Sequence, residues 1–338
     1  MKKLLIVLAI AFQVGAVAAI ALHKEWVLRS GQTLVVQTAP IDPRDIFRGD
    51  YVRLDYLFSR LRASQIDPAL RQRGLRKGER VYLAMATGSD GIASAQRVQL
   101  ERPPFPYLPG RVRSEWPYRG YRDLRPEQRS ETNTEDRPLW LEYGIGQYYV
   151  EQGKGLEMEA IRGGRNDFQR AMLVELAVPA TGQALIRGFR WADVSVFTEV
   201  LERPRQDAPD NRAGARLRLT LRNESDRAFE LKLKPDGCSF DLLPAGLAPG
   251  DAEQLLVDRS AFCAGKQAVM QRLDPGETLT IDFDFNQPQW QAIEDGETKP
   301  IGRLPWNYLW RLVYREPLPE GLSGRILSRA FHAGGRVD

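Results

Sequence analysis

The hydrophobic pattern separates an apolar N-terminal segment from a long series of short alternating stretches. Residues 4–22 are apolar except for Gln13, and they follow Lys2 and Lys3. As a helix this segment would rise about 28 Å, enough to cross the hydrocarbon core of a bilayer. Two Ala-x-Ala patterns near its end are typical of signal-peptide cleavage sites, so a cleaved signal peptide is the alternative interpretation. Such a peptide usually has a shorter apolar region. We favour an uncleaved anchor over residues 1–24, with the lysines in the cytoplasm.

Beyond the anchor, apolar and polar residues alternate over short stretches, which is the pattern of half-buried strands. One such stretch follows Tyr51 and places four apolar residues on a single face: Val52, Leu54, Tyr56 and Phe58. Residues 79–86 and 92–100 flank the turn Thr-Gly-Ser-Asp-Gly and predict a hairpin. Short helices are predicted over residues 64–72 and 156–161.

The second half of the chain shows shorter strands with regular turns. Alternation recurs at residues 216–223, 229–234, 279–285 and 308–314, which favours a β-sandwich. A Pro-, Asp- and Arg-rich stretch over residues 203–214 marks a linker or long loop before it.

The predicted fold is therefore mainly β, with a β-rich α+β first domain, a β-sandwich second domain and one N-terminal transmembrane helix. The expected boundaries are 30–200 for the first domain, 115–138 for an exposed insertion within it, 205–320 for the sandwich and 321–338 for a tail.

The amino-acid composition argues against several classes of function. The formal net charge of +4 is small for 338 residues and argues against a nucleic-acid binder, which usually carries a clustered basic face. The two histidines, His23 and His332, lie near the chain ends. This argues against His-based metal sites and Ser-His-Asp chemistry within the folded body. We expect no metal and no cofactor.

A charged cluster over residues 40–56 holds four Asp and three Arg among two Pro and a Gly. In the structural interpretation, which we favour, the Asp side chains cap turn amides and pair with the arginines. The alternatives are a binding groove, in which an Arg clamps an anion, and acid–base catalysis by paired carboxylates. The interleaved arginines argue against calcium. The candidate binding residues are Asp42, Arg44, Asp45, Arg48, Asp50, Tyr51, Tyr149 and Glu151.

Glu151 follows a tyrosine-rich stretch over residues 143–149. If that stretch pairs with the Tyr51 strand, Glu151 would approach the charged cluster, and a groove lined by Tyr, carboxylates and Arg would suit a peptide or glycan. The alternative is a solvated glutamate at the end of a strand. Cys238 and Cys263 are the two cysteines, and an exported chain favours a disulfide between them.

The residues Gly-Asp-Tyr-Val-Arg-Leu-Asp-Tyr at positions 49–56 reproduce the motif that names the GDYXXLXY family. Residues 42–45 and 143–153 also resemble that family, so that the resemblance covers roughly residues 30–190. It implies a membrane-anchored bacterial protein of unknown biochemical role and supplies no catalytic residues. The chain departs from the family in the long insertion before Leu139. Residues 219–227 and 273–279 are more loosely similar to immunoglobulin-like accessory domains.

The leading hypothesis is a non-enzymatic binding or accessory module of the bacterial envelope. It would be held in the inner membrane by residues 4–22, face the periplasm and act with a membrane or envelope protein. The alternatives are an envelope hydrolase using Asp42, Asp50 or Glu151, and a structural spacer. Aromatic residues of the insertion, Trp116, Tyr118 and Tyr121, are further candidates for contact with a partner or a membrane surface.

Overall fold

The computed structural model describes most of the chain in nine stretches. They are residues 2–39, 51–62, 65–116, 138–164, 166–203, 214–245, 256–294, 297–304 and 308–337. Within them the protein consists of antiparallel strands preceded by one long helix, which confirms the predicted mainly-β class.

Helix α1 (Lys2–Ser30) carries the apolar N-terminal segment. Its side chains over residues 4–22 are exposed, and the helix is long and apolar enough to cross a membrane. A signal sequence would meet the same criteria. Near its C-terminal end the helix packs on the folded body, where Val27 is buried.

The remaining helices are short, and most of the strands are as well. The helices are α2 (Pro68–Arg73), α3 (Lys154–Arg162) and α4 (Ser260–Cys263). The strands of the first half are β1 (Gln32–Gln37), β2 (Tyr51–Arg53), β3 (Arg60–Leu61), β4 (Arg80–Thr87), β5 (Ala93–Gln99), β6 (Tyr107–Val112), β7 (Leu139–Glu142), β8 (Gln147–Tyr149), β9 (Gln169–Val178) and β10 (Leu185–Glu202). Those of the second half are β11 (Arg216–Asn223), β12 (Phe229–Leu233), β13 (Phe240–Ala245), β14 (Val269–Leu273), β15 (Thr278–Asp284), β16 (Gln291–Glu294), β17 (Glu297–Pro300), β18 (Leu309–Tyr314), β19 (Phe331–His332) and β20 (Arg336–Val337).

Local sequence signals account for several of these elements. β4 and β5 form the predicted hairpin. The Asp67 side chain accepts a hydrogen bond from the Ala69 amide at the start of α2, Pro68 opens the helix, and Gly74 follows its end with a φ of 75°. An N-cap acceptor, a first-turn proline and a terminal glycine are the signals that begin and end a helix.

One sheet runs through both halves of the chain, in the strand order β1-β9-β10-β11-β15; we call it the shared sheet. A second five-stranded sheet has the order β3-β7-β6-β4-β5, and a four-stranded sheet has the order β13-β18-β19-β20. Three two-stranded sheets pair β12 with β14, β16 with β17 and β2 with β8.

Strand β10 joins the two halves without a break. Along residues 185–196 it pairs with β9, and along residues 194–202 it pairs with β11. The register with β9 shifts between Trp191 and Ser195, and over residues 195–196 the strand is paired with both neighbours. The stretch predicted as a linker, residues 203–214, therefore connects two strands that are hydrogen-bonded to each other. The division into two domains stays a prediction.

Each half nevertheless has its own hydrophobic core. The first core packs Leu34 and Val174 of the shared sheet against Leu83 and Leu108 of the second sheet. The second core packs Leu219 and other residues of the shared sheet against strands β12, β13, β18 and β19. A strand-enclosed second core is consistent with a β-sandwich, without identifying the immunoglobulin-like type.

The prediction that residues 321–338 form a tail is wrong. Ile326, Phe331 and Ala333 are buried in the second core, and β19 pairs with β18. The Nε2 of His332 lies 2.9 Å from the Leu304 carbonyl oxygen, and its Nδ1 lies 2.9 Å from the Gly334 amide. His332 therefore belongs to the folded body in a structural role. Strands of two residues are too short to show an alternating pattern, which is why the sequence did not predict them.

Arg325 connects this C-terminal segment to the first half of the chain. Its guanidinium donates hydrogen bonds to the Asp90 carboxylate and to the Ser94 hydroxyl. Its backbone exchanges two hydrogen bonds with the Gln37 side chain, at 2.8 and 2.9 Å. Burial acts to raise the pKa of Asp90, but hydrogen bonds from Arg325 and the Ile92 amide outweigh it, so that the pKa is lowered.

Cys238 and Cys263 lie at disulfide distance, with their Cα atoms 5.6 Å apart. Cys238 precedes β13 and Cys263 ends α4, so that the pair ties this short helix to the second core.

We predict that Asp90→Asn lowers the free energy of unfolding at pH 7 by about 1–3 kcal/mol, because it removes charge-assisted hydrogen bonds at the junction of the halves. The lowered folded-state pKa means that this contribution is full above the unfolded pKa of about 3.9 and is lost as the pH falls through the folded pKa. Urea unfolding at pH 7 and pH 3 checks this. The exposed pair of Asp282 with Arg218 supplies the control, since Asp282→Asn should change stability by less than about 1 kcal/mol. An equal loss for Asp90→Asn at both pH values would contradict the prediction.

We also predict that replacing both Cys238 and Cys263 by Ala lowers the free energy of unfolding by about 3 kcal/mol, because the bond restricts a loop of 25 residues in the unfolded chain. Denaturant unfolding of the wild type with and without a reducing agent gives an independent measure. The reductant should destabilise the wild type and leave the double variant unchanged; a wild type insensitive to it would refute the prediction.

Candidate functional site

The motif strand β2 pairs with the tyrosine-rich strand β8. Tyr51 lies opposite Tyr149, and Val52 lies opposite Tyr148, in antiparallel register. This is the condition under which we expected Glu151 to approach the charged cluster. Arg162 of α3 donates a hydrogen bond to the Arg53 carbonyl and covers the end of β2.

The alternation that follows Tyr51 corresponds to burial in the structure. Regular pairing ends at Arg53, yet four side chains on the predicted inner face are at most 5% exposed: Val52, Leu54, Tyr56 and Phe58. The Tyr56 hydroxyl donates a 2.8 Å hydrogen bond to the Ile145 carbonyl, and its ring stacks on Phe58. Burial raises the pKa of Tyr56 well above its ordinary value. The second half of the motif thus packs the core.

On the outer face, the half-buried Tyr51 and the exposed Tyr149 form an aromatic pair. Their ring centroids are 6.0 Å apart, and Tyr149 is 72% exposed. Glu151 lies 3.5 Å from the Lys154 ammonium, and both side chains are largely in solvent. The structure therefore brings the two tyrosines together, while Glu151 matches the solvated alternative.

The other five candidates, Asp42, Arg44, Asp45, Arg48 and Asp50, lie outside the described residues. Their convergence with Tyr51 stays a prediction. Within the described part of the cluster, Asp55 lies 3.6 Å from Arg60, which in turn stacks on the Trp140 ring at 4.3 Å. This carboxylate is thus engaged in an ion pair outside the motif.

Trp116 is not the exposed contact residue that we expected at the start of the insertion. It is 3% exposed, and its backbone exchanges hydrogen bonds with Leu75. Because Trp116 belongs to the first core, it is unavailable to a partner. Tyr118 and Tyr121 lie outside the described residues.

Two adjoining cavities lie where the halves of the chain meet. The smaller, of about 210 Å³, is lined by residues from both halves, including Gln37, Phe58 and Ala245. The larger has a volume of about 700 Å³. Leu57, Leu243 and Arg325 line both, so together the cavities form one cleft. Leu57 directly follows the motif, which places the end of the motif at the cleft wall.

Arg259 is the most unusual polar group of the larger cavity. Its guanidinium stacks on Trp290, 3.6 Å from the ring centroid, and donates to the Phe240 and Gly237 carbonyls. Its Nε is buried and has no hydrogen-bond partner among the described residues. Burial lowers the pKa of Arg259 to about 10, against the opposing effect of Asp241. The group remains a cation at neutral pH, and it is poorly solvated.

The cavity also holds two carboxylates, and both are engaged. Asp241 accepts a 3.0 Å hydrogen bond from Arg315. Hydrogen bonds from Ser260 lower the pKa of Asp258. The rest of the lining is largely apolar: Leu242, Leu243, Leu256, Val257, Trp290, Ile301, Val313 and Leu327. In the part of the chain that the structure describes, no group of three or more His, Cys, Asp or Glu side chains is placed to hold a metal ion.

None of the predicted site residues lines these cavities in the described structure. The lining comes from stretches that are distant in sequence, from Gln37 to Leu327, and no motif links them. Sequence reasoning had one usable signal, which was the position of Leu57 and Phe58 directly after the motif.

We predict that Tyr56→Phe lowers the free energy of unfolding by about 1–2 kcal/mol, because it leaves the buried Ile145 carbonyl without its hydroxyl donor. Tyr149→Phe is the matched control, since its hydroxyl donates to Gln147 at the surface and its loss should change stability by less than about 0.5 kcal/mol. Chemical denaturation of both variants measures the difference; similar losses would argue against a core role for Tyr56.

Comparison with known proteins agrees with the motif. The family model described as "GDYXXLXY protein" matches residues 13–189, which is just over half of the 338-residue chain. The match begins inside α1 and ends within β10. Searches of curated proteins and of solved structures found no match. The chain belongs to the GDYXXLXY protein family.

Proposed function

We propose that the protein is a membrane-anchored, periplasm-facing binding module of the bacterial envelope that takes a segment of a membrane or envelope protein into the cleft between its halves. The observation that carries this proposal is the larger cavity, with its largely apolar lining and the half-buried Arg259, whose Nε is buried without a hydrogen-bond partner among the described residues. The apolar helix α1 behind two lysines supports an inner-membrane anchor with a cytoplasmic N-terminus.

The chemistry of the cavity favours a ligand that is both apolar and anionic. A cavity of about 700 Å³ accommodates a few side chains of an extended peptide. A buried cation is destabilising unless a counter-charge or hydrogen-bond acceptor satisfies it. The Arg259 guanidinium already donates to two backbone carbonyls, and a ligand carboxylate beside it would add a counter-charge. Apolar side chains of the same ligand would pack on Trp290 and Leu243.

Hydrolysis is the weaker alternative. A carboxylic acid that donates a proton at neutral pH needs a raised pKa. In the cleft, the pKa of Asp258 is instead lowered, and Asp241 is held by Arg315. Glu151 lies at the surface beside Lys154. The other alternative is a structural spacer. That function does not account for a poorly solvated cation in a cavity.

The test is site-specific photo-crosslinking in intact cells that produce the full chain. A photoreactive residue at Leu243, in the cleft, should give a discrete crosslinked protein species. The same residue at Val269, 66% exposed and outside both cavities, is the matched control and should not. Arg259→Gln should reduce the Leu243 crosslink at least about tenfold, because loss of a buried charge partner costs about 2 kcal/mol or more of binding energy.

Arg218→Gln is the charge-matched control, because Arg218 lies outside both cavities and pairs with Asp282. It should leave the crosslink unchanged. Thermal unfolding shows whether the Arg259 variant is folded. A Leu243 signal no stronger than that of Val269, or one that a folded Arg259→Gln variant retains, would refute binding in the cleft.

A further inference from the structure

The C-terminal end of α1 is fixed to the shared sheet by Arg187. The Arg187 guanidinium donates hydrogen bonds to the Leu28 carbonyl at 2.6 and 3.0 Å and to the Gly31 carbonyl at 3.1 Å. A cation at this end of a helix satisfies carbonyls that lack partners within the helix. Gly31 also packs tightly, because a Cβ there would lie 3.0 Å from the backbone of Ala177 and Val178. The helix therefore meets the sheet in a defined way.

This junction places the folded body close to the membrane surface. Residues 23–30 continue α1 beyond the apolar segment by about 12 Å. The headgroup layer on each side of the hydrocarbon core is about 5–8 Å thick. Trp26, 59% exposed on this short extension, has the interfacial position at which tryptophan is enriched. The parts of the body nearest the junction are thus within a few ångströms of the headgroups.

The loop of residues 100–106 lies next to this junction. The turn between β9 and β10 begins at the end of β9, whose Val178 pairs with Gln32 just after α1. The Tyr107 hydroxyl donates to the Ala180 carbonyl in that turn. Gly182 packs against the Tyr107 ring, at 2.5 Å from the position of a Cβ. Tyr107 directly follows the loop and so holds it beside the membrane-proximal turn.

The exposed side chains of this region have an interfacial composition. Leu100 is 42% exposed and Phe105 is 39% exposed. Lys24 and Arg102 add exposed cations. Two acids also belong to these segments: Glu25, which is paired with Arg29, and Glu101. Apolar side chains flanked by cations are typical of contact with an anionic lipid surface.

We propose that loop 100–106 and Trp26 form a lipid-contact surface, by which the folded body rests on the anionic headgroup layer of the membrane that α1 crosses. The inference rests on the anchoring part of the proposed function and is independent of the cleft. Arg187, which lies on β10, sets the orientation of the folded body relative to α1, because it holds the end of α1 to that strand. Phe105 and Leu100 enter the headgroup layer, and Arg102 meets lipid phosphates.

The experiment uses the full chain in lipid nanodiscs that contain phosphatidylglycerol, with a spin label at Phe105→Cys. Since the described cysteines are both disulfide-bonded, the introduced thiol is the one that reacts. Accessibility to oxygen and to a water-soluble nickel complex reports the depth of the label. The label at residue 105 should lie in the headgroup layer, and a control label at Val269→Cys should lie in water. In nanodiscs of phosphatidylcholine alone, the residue-105 label should become more accessible to nickel.

Two further measurements separate the steps of the inference. Arg187→Ala should return the residue-105 label to water while thermal unfolding shows an intact fold. Co-purification of the chain with the nanodisc shows whether α1 anchors the protein, independently of the label. A failed anchor is thereby distinguished from a missing contact between loop 100–106 and the lipid. A residue-105 label as nickel-accessible as the residue-269 label, in an anchored chain with anionic lipid, would overturn the lipid-contact surface; a protein partner would then be the better occupant.

Discussion

The antiparallel pairing of β10 with β9 and then with β11 is the constraint on which the rest of the structure depends. One 18-residue strand supplies backbone donors and acceptors to both halves of the chain, so neither half can move away without breaking its sheet. The register with β9 is irregular between Trp191 and Ser195, close to Val194, where the pairing with β11 begins. The same strand carries Arg187, which holds the end of α1.

The cleft results from the shared sheet together with the hydrogen bonds between Arg325 and Gln37. Because the shared sheet fixes the two cores side by side, their facing surfaces leave the space that Leu57 and Leu243 line from opposite halves. Arg325 and Gln37 then bridge the halves at its edge, through hydrogen bonds of an amide side chain with a backbone. Buried polar groups joined in this way resist separation, since opening would leave each of them without a partner. Under the proposed binding function, a ligand would enter this cavity without rearrangement of the fold.

Local patterns predicted the elements but not the way they combine. The β4–β5 hairpin, the cap at Asp67 and the inner face from Val52 to Phe58 each depend on neighbours within a few residues, which periodicity can register. Gln37 and Arg325 are 288 positions apart, and the cleft exists because such distant residues meet. The same holds for the short strand β19, whose burial comes from packing in the second core and not from any pattern of its own. Sequence alone therefore led to the motif as the candidate site and missed the cavities beside it.

The motif packs the core at one residue and reaches the wall of the cleft at the next, so it would affect both folding and the proposed recognition. Tyr56 is held in the core by the Ile145 carbonyl, and the next residue, Leu57, is part of the cleft wall. A substitution that releases Tyr56 would also move Leu57, so loss of binding in such a variant would not by itself make the motif a contact surface. A substitution of Arg259 does not have this ambiguity. Arg259 lies about 200 residues from the motif in sequence, and it lines the cleft from the second half of the chain. The proposed binding in the cleft is therefore better tested by substituting Arg259. The contribution of the motif is better tested by measuring how its substitutions change the free energy of unfolding.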